Sequence, residues 1–211
     1  RESGYKVVVT GEGSDELFSG YPFLKRDHFL HGGDDLEPRQ LSDVNRVFQG
    51  SILAETQASH PAWDELCGFT PSWIQPWILV HDQARGLFAG DVLDHLQDYD
   101  PVAAIAAQID PNMVEGRHPL DRAQYTWSKT MLEGQILTWG GDRVDMGNSM
   151  ESRPAFLDHH VAELARRIPP RYRIHDGTEK WVLREAMKGV LPEVLYKREK
   201  FAFMAPPAHT D

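Results

Sequence analysis

The sequence predicts an α/β chain that is mostly helical and hangs on one edge of a sheet. Three observations predict it. A β-branched run, Val7-Val8-Val9-Thr10, stops at the glycine-bracketed turn Gly11-Glu12-Gly13. Beyond it no second run reads as a confident strand, whereas helix starts marked by a capping residue and a proline recur along the chain. The 211 residues, 41% of them hydrophobic, are enough to bury one core in one domain.

Residues 6–10 form the strand, and a helix opens at Ser14-Asp15-Glu16-Leu17-Phe18. Residues 31–40 are polar and turn-rich and read as a loop. Ser42 then caps a helix with Val44, Val47, Phe48 and Ile52 on one face. Ser59 ahead of Pro61, Thr70 ahead of Pro71 and Asp100 ahead of Pro101 start short helices, and Pro76 breaks or restarts a helix over residues 73–87. Residues 120–137 read as a long amphipathic helix with Leu120, Ala123, Trp127 and Met131 inward, ended by Gly140-Gly141. Asp158 caps a helix bearing Val161, Ala162, Leu164, Ala165 and Ile168, which Pro169-Pro170 stops. Thr178 caps, and Gly189 closes, a helix that buries Val182, Leu183, Ala186 and Met187. There is no internal repeat and no low-complexity segment.

Composition excludes several functions. A formal net charge of −10 argues against a nucleic-acid-binding surface. Cys67 is the only cysteine, so there is no internal disulfide or thiolate metal cluster, which fits a reducing cytoplasm. Beside Trp63 and Leu66 it reads as a buried structural thiol. No apolar run, Trp77 to Val80 included, approaches the roughly 20 residues that span a bilayer, so no membrane partner is expected. The chain opens without Met and without a signal-peptide pattern, and is expected to be a fragment of something longer.

The chemistry concentrates at two places. Strand, tight turn and helix start put Gly11, Gly13 and Ser14 where backbone N–H groups and the helix dipole face one spot, a platform for phosphate. Glu12, Asp15 and Glu16 crowd the same spot. Carboxylates repel a bare polyphosphate, so the combination points to Mg²⁺ between them and a (pyro)phosphate. The competing reading is a plain helix start, with Ser14 as cap and Asp15 and Glu16 complementing the dipole.

The second place is basic. Lys180, Arg184 and Lys188 fall at i, i+4 and i+8 on one ridge, where like charges repel, and Lys180 sits in a first turn that disfavours cations. A nearby anion would offset that cost; otherwise the ridge is solvated and paired to neighbours such as Glu185. Arg198-Glu199-Lys200-Phe201 could bind an anion or cover a surface. The pairs His28/His31 and His159/His160 lack the further ligands a zinc site needs and read as incidental. The six tryptophans fall mostly at helical spacing and read as core.

Three of these segments, in this order, resemble one family. Gly11-Glu12-Gly13-Ser14-Asp15-Glu16-Leu17-Phe18-Ser19-Gly20-Tyr21 is similar to a signature of the asparagine synthetase domain. Asp142-Arg143 through Glu151-Ser152-Arg153-Pro154-Ala155-Phe156-Leu157-Asp158 resembles its E-x-R-x-P-F-L-D segment. The stretch Glu179-Lys180-Trp181-Val182-Leu183-Arg184, with Arg198, Lys200 and Phe203, resembles its C-terminal hallmark. The match covers roughly residues 4–26 and 138–207.

The resemblance implies an ATP-pyrophosphatase fold of the adenine nucleotide α-hydrolase type, a parallel sheet flanked by helices. It also implies ATP-dependent activation of a carboxylate, aspartate or an analogue, to an acyl-adenylate that ammonia from glutamine then amidates. Position by position, Thr10 and Gly11 approach the nucleotide with Gly13 and Ser14. Glu12 sits at the reacting centre, Asp15 binds Mg²⁺, and Lys180 stabilises charge at the α-phosphorus. A glutaminase domain is the expected partner in the full-length protein, and a homodimer is compatible with it.

Two departures stand out. The family's Ser-Gly-Gly-x-Asp-Ser pyrophosphate loop and glutaminase domain are not in these residues, so the chain alone is expected to be inert. The Pro154-Ala155 order and Ala202 differ from the commoner pattern near the acceptor pocket. A lactam-forming relative or a non-catalytic binding module are the competing readings. Glu12 speaks against the first, and joint retention of Glu12, Asp15 and Lys180 against the second.

Overall fold

A computed structural model describes residues 4–32, 58–96 and 99–198. The helix expected from Ser42, most of the loop expected over 31–40, and Lys200, Ala202 and Phe203 lie outside the described residues.

β1 (Val7–Thr10) runs parallel to β2 (Glu151–Pro154), with Val7 opposite Glu151 and Thr10 opposite Pro154. The first strand follows the β-branched run, as expected. The second was hidden, because Glu-Ser-Arg-Pro has no strand propensity of its own. Its conformation comes from the ladder with β1. Val7, Val8 and Val9 remain exposed.

Helices follow in chain order: α1 (Ser14–Phe18), α2 (Pro22–His31), α3 (Pro61–Cys67), α4 (Gln75–Arg85), α5 (Gly90–Leu96) and α6 (Pro101–Ala106). Then come α7 (Pro119–Trp127), a π-helical stretch (Ser128–Asp142), α8 (Arg143–Gly147), α9 (His159–Ala165) and α10 (Pro170–Arg173). β3 (Ile174–His175) and β4 (Thr178–Glu179) form a hairpin, and α11 (Trp181–Ala186) and α12 (Glu193–Tyr196) close the described chain.

Local chemistry explains most starts. The Asp100 carboxylate accepts from the N–H groups of Val102 and Ala103, both at 2.9 Å, and the Asp158 carboxylate accepts from those of His160 and Val161. Pro76 stands in the first turn of α4, so it restarts that helix rather than breaking it. Two expected caps are corrected. His60, not Ser59, precedes Pro61 at the start of α3. Thr70 serves α3 instead of a following helix: its hydroxyl accepts from the His60 N–H at 2.8 Å and donates to Asp64 at 2.7 Å.

The expected end at Gly140-Gly141 is also corrected. The helical path continues to Gly147, and the Arg143 N–H bonds the Thr138 carbonyl five residues back, a π spacing. Neither Gly140 nor Gly141 takes the positive φ by which glycine ends a helix. α9 ends at Ala165, short of Pro169-Pro170, and its Leu164 is exposed rather than inward.

The core lies among α2, α3, α4 and α7. Leu24, Trp63, Cys67, Trp73, Leu120, Ala123 and Trp127 are buried, and Met131 packs against them. Trp73 meets Trp63 and Trp127 edge-on at 5.4 and 5.8 Å, and its indole N–H donates to Thr126 Oγ1 at 3.1 Å. Each such indole removes roughly 150–250 Å² from water, on the order of 4–6 kcal/mol before entropy is counted. Trp77 and Trp139 are exposed and Trp181 is half-buried, so the tryptophans divide between core and surface. Burial pushes the Cys67 thiol up to about 12, which leaves it protonated and unreactive.

Candidate active site

The turn after β1 is built by Gly13. Its φ of 89° lies in the left-handed region, and an added Cβ would overlap the Leu157 side chain. Glycine is therefore required on both backbone and steric grounds. Gly13, not Ser14, is the residue ahead of α1, and no side-chain cap forms. The five-residue α1 ends at Ser19, itself left-handed at φ 57°, whose N–H and that of Gly20 both reach back to the Asp15 carbonyl.

The three acidic side chains of this segment separate. Glu16 turns inward, 2% exposed, and accepts from the Tyr21 hydroxyl at 2.6 Å. Burial first, and then the Glu16 charge, raise the Tyr21 hydroxyl well above the ordinary phenol range. Glu16 thus leaves the mouth of the helix, contrary to expectation. Glu12 is half-buried, and among the described residues no hydrogen bond or ion pair engages its carboxylate. Asp15 faces the incoming lysine.

That lysine arrives from the other end of the chain. Thr178 and Glu179 do not cap a helix, as expected, but form β4. The reversal before them is Asp176-Gly177, with φ of 45° and 72°, and His175 pairs with Thr178 across it. Asp-Gly between paired residues is the signature of a two-residue hairpin turn, which the sequence carried in plain sight. Lys180 follows at φ 53°, so it stands ahead of α11 rather than in its first turn. A non-glycine residue there costs roughly 1–2 kcal/mol.

The strained backbone aims the side chain across the site. Lys180 Nζ lies 2.6 Å from Asp15 Oδ1 and 3.1 Å from Ser14 Oγ. Both partners of the ion pair are largely covered, with side chains 17% and 16% exposed. Gly20 lies beneath the pair; an added Cβ would overlap Asp15 Oδ1 and Lys180 Cε. An anion therefore does sit beside Lys180, but it belongs to the protein.

The rest of the basic ridge does structural work. Arg184 donates to the Glu179 carboxylate and backbone carbonyl, each at 3.0 Å, and to the carbonyls of Tyr196 and Arg198. Lys188 lies out on the surface near Glu185. Ala186, expected inward, is exposed. Lys25 of α2 completes the anchoring of Glu179 at 3.6 Å.

Thr10 ends β1 opposite Pro154, and its buried hydroxyl has no partner among the described residues. Nothing lies within 4 Å of where a Cβ of Gly11 would stand, so the backbone there is open to approach. Lys180 also lines a groove of about 390 Å³ walled by Phe156, Leu183, Met187 and Leu191. The structure thus brings together Thr10, Gly11, Gly13, Ser14, Asp15 and Lys180, with Glu12 on the same turn. His28 is buried against His118, His31 stacks on Phe69, and His159 and His160 are exposed, so the histidines do not join this site.

Sequence reasoning missed Gly20 and a buried polar network behind the site. Gln124 of α7 accepts from Ser19 Oγ at 2.5 Å and from Arg173 at 2.9 Å, and donates to the Leu17 carbonyl at 3.3 Å. Arg173, 3% exposed, also pairs with Asp121. A glutamine inside a helix and an arginine at a helix end gave no signal in one sequence.

Comparison with known proteins identifies the family. The family model described as asparagine synthase matches residues 1–211. Amidase chyE of Penicillium rubens is 30% identical over 220 residues, covering 96% of this chain and 32% of that protein. Asparagine synthetase [glutamine-hydrolyzing] 3 of Bacillus subtilis is 40% identical over 214 residues, covering 97% of this chain and 27% of that protein. Asparagine synthetase [glutamine-hydrolyzing] 1 of the same organism is 28% identical over 211 residues, covering 96% and 31%. The chain thus spans about a third of the length of these relatives. No solved structure matches it at a comparable level. Matched by the family model from its first residue to its last, the chain belongs to the asparagine synthase family.

Proposed function

We propose that this chain is the C-terminal portion of an ATP-dependent amide-forming ligase site, of ATP-pyrophosphatase type, within a longer protein. The observation that carries the reading is the delivery of Lys180 onto Asp15 and Ser14 from the far end of the chain, at the cost of a left-handed backbone. Non-glycine residues held in the left-handed region cluster at functional sites, which supports the reading.

The donor set fits a magnesium nucleotide. Asp15 and Glu12 offer hard carboxylate oxygens, which Mg²⁺ favours, and the Thr10 hydroxyl, without a partner among the described residues, and the open Gly11 backbone offer polar contact to a nucleotide. When bound, Mg²⁺ would neutralise the pyrophosphate charge and help it leave. The protein's own groups supply the rest. Lys180 places an ammonium for the charge that builds at the α-phosphorus as a carboxylate attacks, a preorganised electrostatic contribution. Asp15 orients that ammonium beforehand. Glu12, not engaged by other described side chains, stands at the reacting centre where the acyl-adenylate forms and is consumed. Ammonia derived from glutamine, through a glutaminase domain, is the proposed nitrogen source, and aspartate the first acceptor to try.

The test is pyrophosphate release by the intact protein with ATP, Mg²⁺ and ammonia, screened over aspartate and other amino acids. Release that depends on an added acid supports the reading, and the acid that elicits it names the acceptor. No release with any acid overturns the ligase reading in favour of a non-catalytic module.

A further inference from the structure

We propose that Gln124 and Arg173 are positioning residues that set the register between the acidic turn and Lys180. The inference rests on the proposed reading of the site, but its geometry stands independently.

Two elements carry the opposed charges. α1 holds Ser14 and Asp15, and its end is fixed by Ser19 and Gly20, whose N–H groups bond the Asp15 carbonyl. The β3–β4 hairpin leads directly into Lys180, and Arg173 is the residue at which α10 hands over to that hairpin. The Gln124 amide joins the two. Its oxygen accepts from Ser19 Oγ at the end of α1 and from the Arg173 guanidinium, while its nitrogen donates to the Leu17 carbonyl inside α1. Asp121, one turn earlier on α7, balances the Arg173 charge. α7 therefore acts as the common wall against which both elements are registered.

Burial makes the network rigid. Arg173 is 3% exposed and Ser19 fully buried, so water cannot replace a lost partner. Removal of the Gln124 amide leaves the Ser19 hydroxyl and the Leu17 carbonyl without that partner. Either end can then satisfy itself only by moving, and Asp15 or Lys180 moves with it. Displacements near 1 Å cost about 100-fold in rate where reacting groups must be aligned.

The test compares the intact wild-type protein with Gln124→Met, close in size without the amide, and Arg173→Lys, which keeps the charge but not the two-partner fork. One readout needs no turnover: acetic anhydride labelling of lysines, followed by peptide mass spectrometry below the unfolding temperature. Lys129, which pairs with Glu133 four residues on along its own helical stretch and not with the hairpin, is the internal reference. The expected result is a several-fold faster labelling of Lys180 relative to Lys129. In the pyrophosphate assay kcat falls about 10–100-fold while KM for ATP stays within about twofold, as for groups that act mainly in the transition state. Unchanged Lys180 labelling in a folded variant overturns the proposal, as does an equal rise at both lysines, which is general loosening. If Gln124→Met fails to fold, Arg173→Lys decides. Should the wild type release no pyrophosphate, the functional reading fails while the labelling still decides the positioning role.

Discussion

Gly20 lies so close under Lys180 that a side chain there would occupy the space of the lysine's Cε. The backbone of Gly20 carries no positive φ, so the demand for glycine is purely one of room. A Cβ here would displace both members of the Asp15–Lys180 pair, which links distant parts of the sequence.

Gly20→Ala therefore separates function from stability. The methyl group pushes Asp15 and Lys180 apart, and acid-dependent pyrophosphate release by the intact protein falls by about 100-fold or more. The unfolding midpoint moves by only a few degrees, because the pair is loosened rather than stripped of a partner, at a cost of roughly 1 kcal/mol. Turnover that stays at the wild-type level would show that the pair need not be held so closely.

Lys180→Asn tests whether the strained backbone serves the ammonium. Asparagine accepts the left-handed region more readily than lysine, so relief of strain of about 1 kcal/mol offsets much of the lost ion pair. Chemical denaturation is expected to give a stability within about 1 kcal/mol of wild type, with turnover reduced to background. A variant that is badly destabilised yet active would reverse the assignment.

Asp15→Asn bears on the metal. The amide keeps the shape but removes a hard anionic ligand, so the Mg²⁺ concentration for half-maximal pyrophosphate release should rise about tenfold or more. An unaltered magnesium titration would sink the ligand role of Asp15.

Asp27 governs a pH dependence away from the site. It is fully buried in α2, where the Ser72 N–H reaches both carboxylate oxygens at 3.0 Å, and the Ser72 hydroxyl donates to it as well. Burial outweighs these hydrogen bonds and the nearby Arg26 charge, and pushes the carboxyl up to about 7. The folded state then holds a proton that the unfolded chain has released, so the contribution of Asp27 to stability is full below about pH 4. It is lost as the pH rises to about 7, with a slope of up to about 1.4 kcal/mol per pH unit. In Asp27→Asn this fall disappears, which unfolding curves at pH 5 and pH 8 would reveal. An equal pH dependence in variant and wild type would assign it to other groups.

What was legible in the sequence was local. Asp100-Pro101 and Asp158 announced their helices because the capping atoms lie two or three residues from what they cap. Val7-Val8-Val9 announced a strand, and the motif segments announced the family. What was not legible depends on partners remote in sequence. Glu151-Ser152-Arg153-Pro154 is a strand only because β1 lies beside it. Thr178 and Glu179 looked like a helix start until the Asp176-Gly177 reversal paired them with Ile174 and His175. That turn was readable, and the helical periodicity that follows it masked the signal. Gln124 and Arg173 lie on surfaces that only tertiary packing defines.

The parallel pairing of Val7 with Glu151 has a consequence for how the molecule comes into being. Loop closure over so long a stretch is entropically slow, and contacts of such sequence separation are expected to form late in folding. During synthesis the carboxylates of the first turn emerge long before the lysine that meets them. The charged constellation is thus among the last features to be assembled, and a chain that stalls midway carries acidic residues with no ammonium beside them.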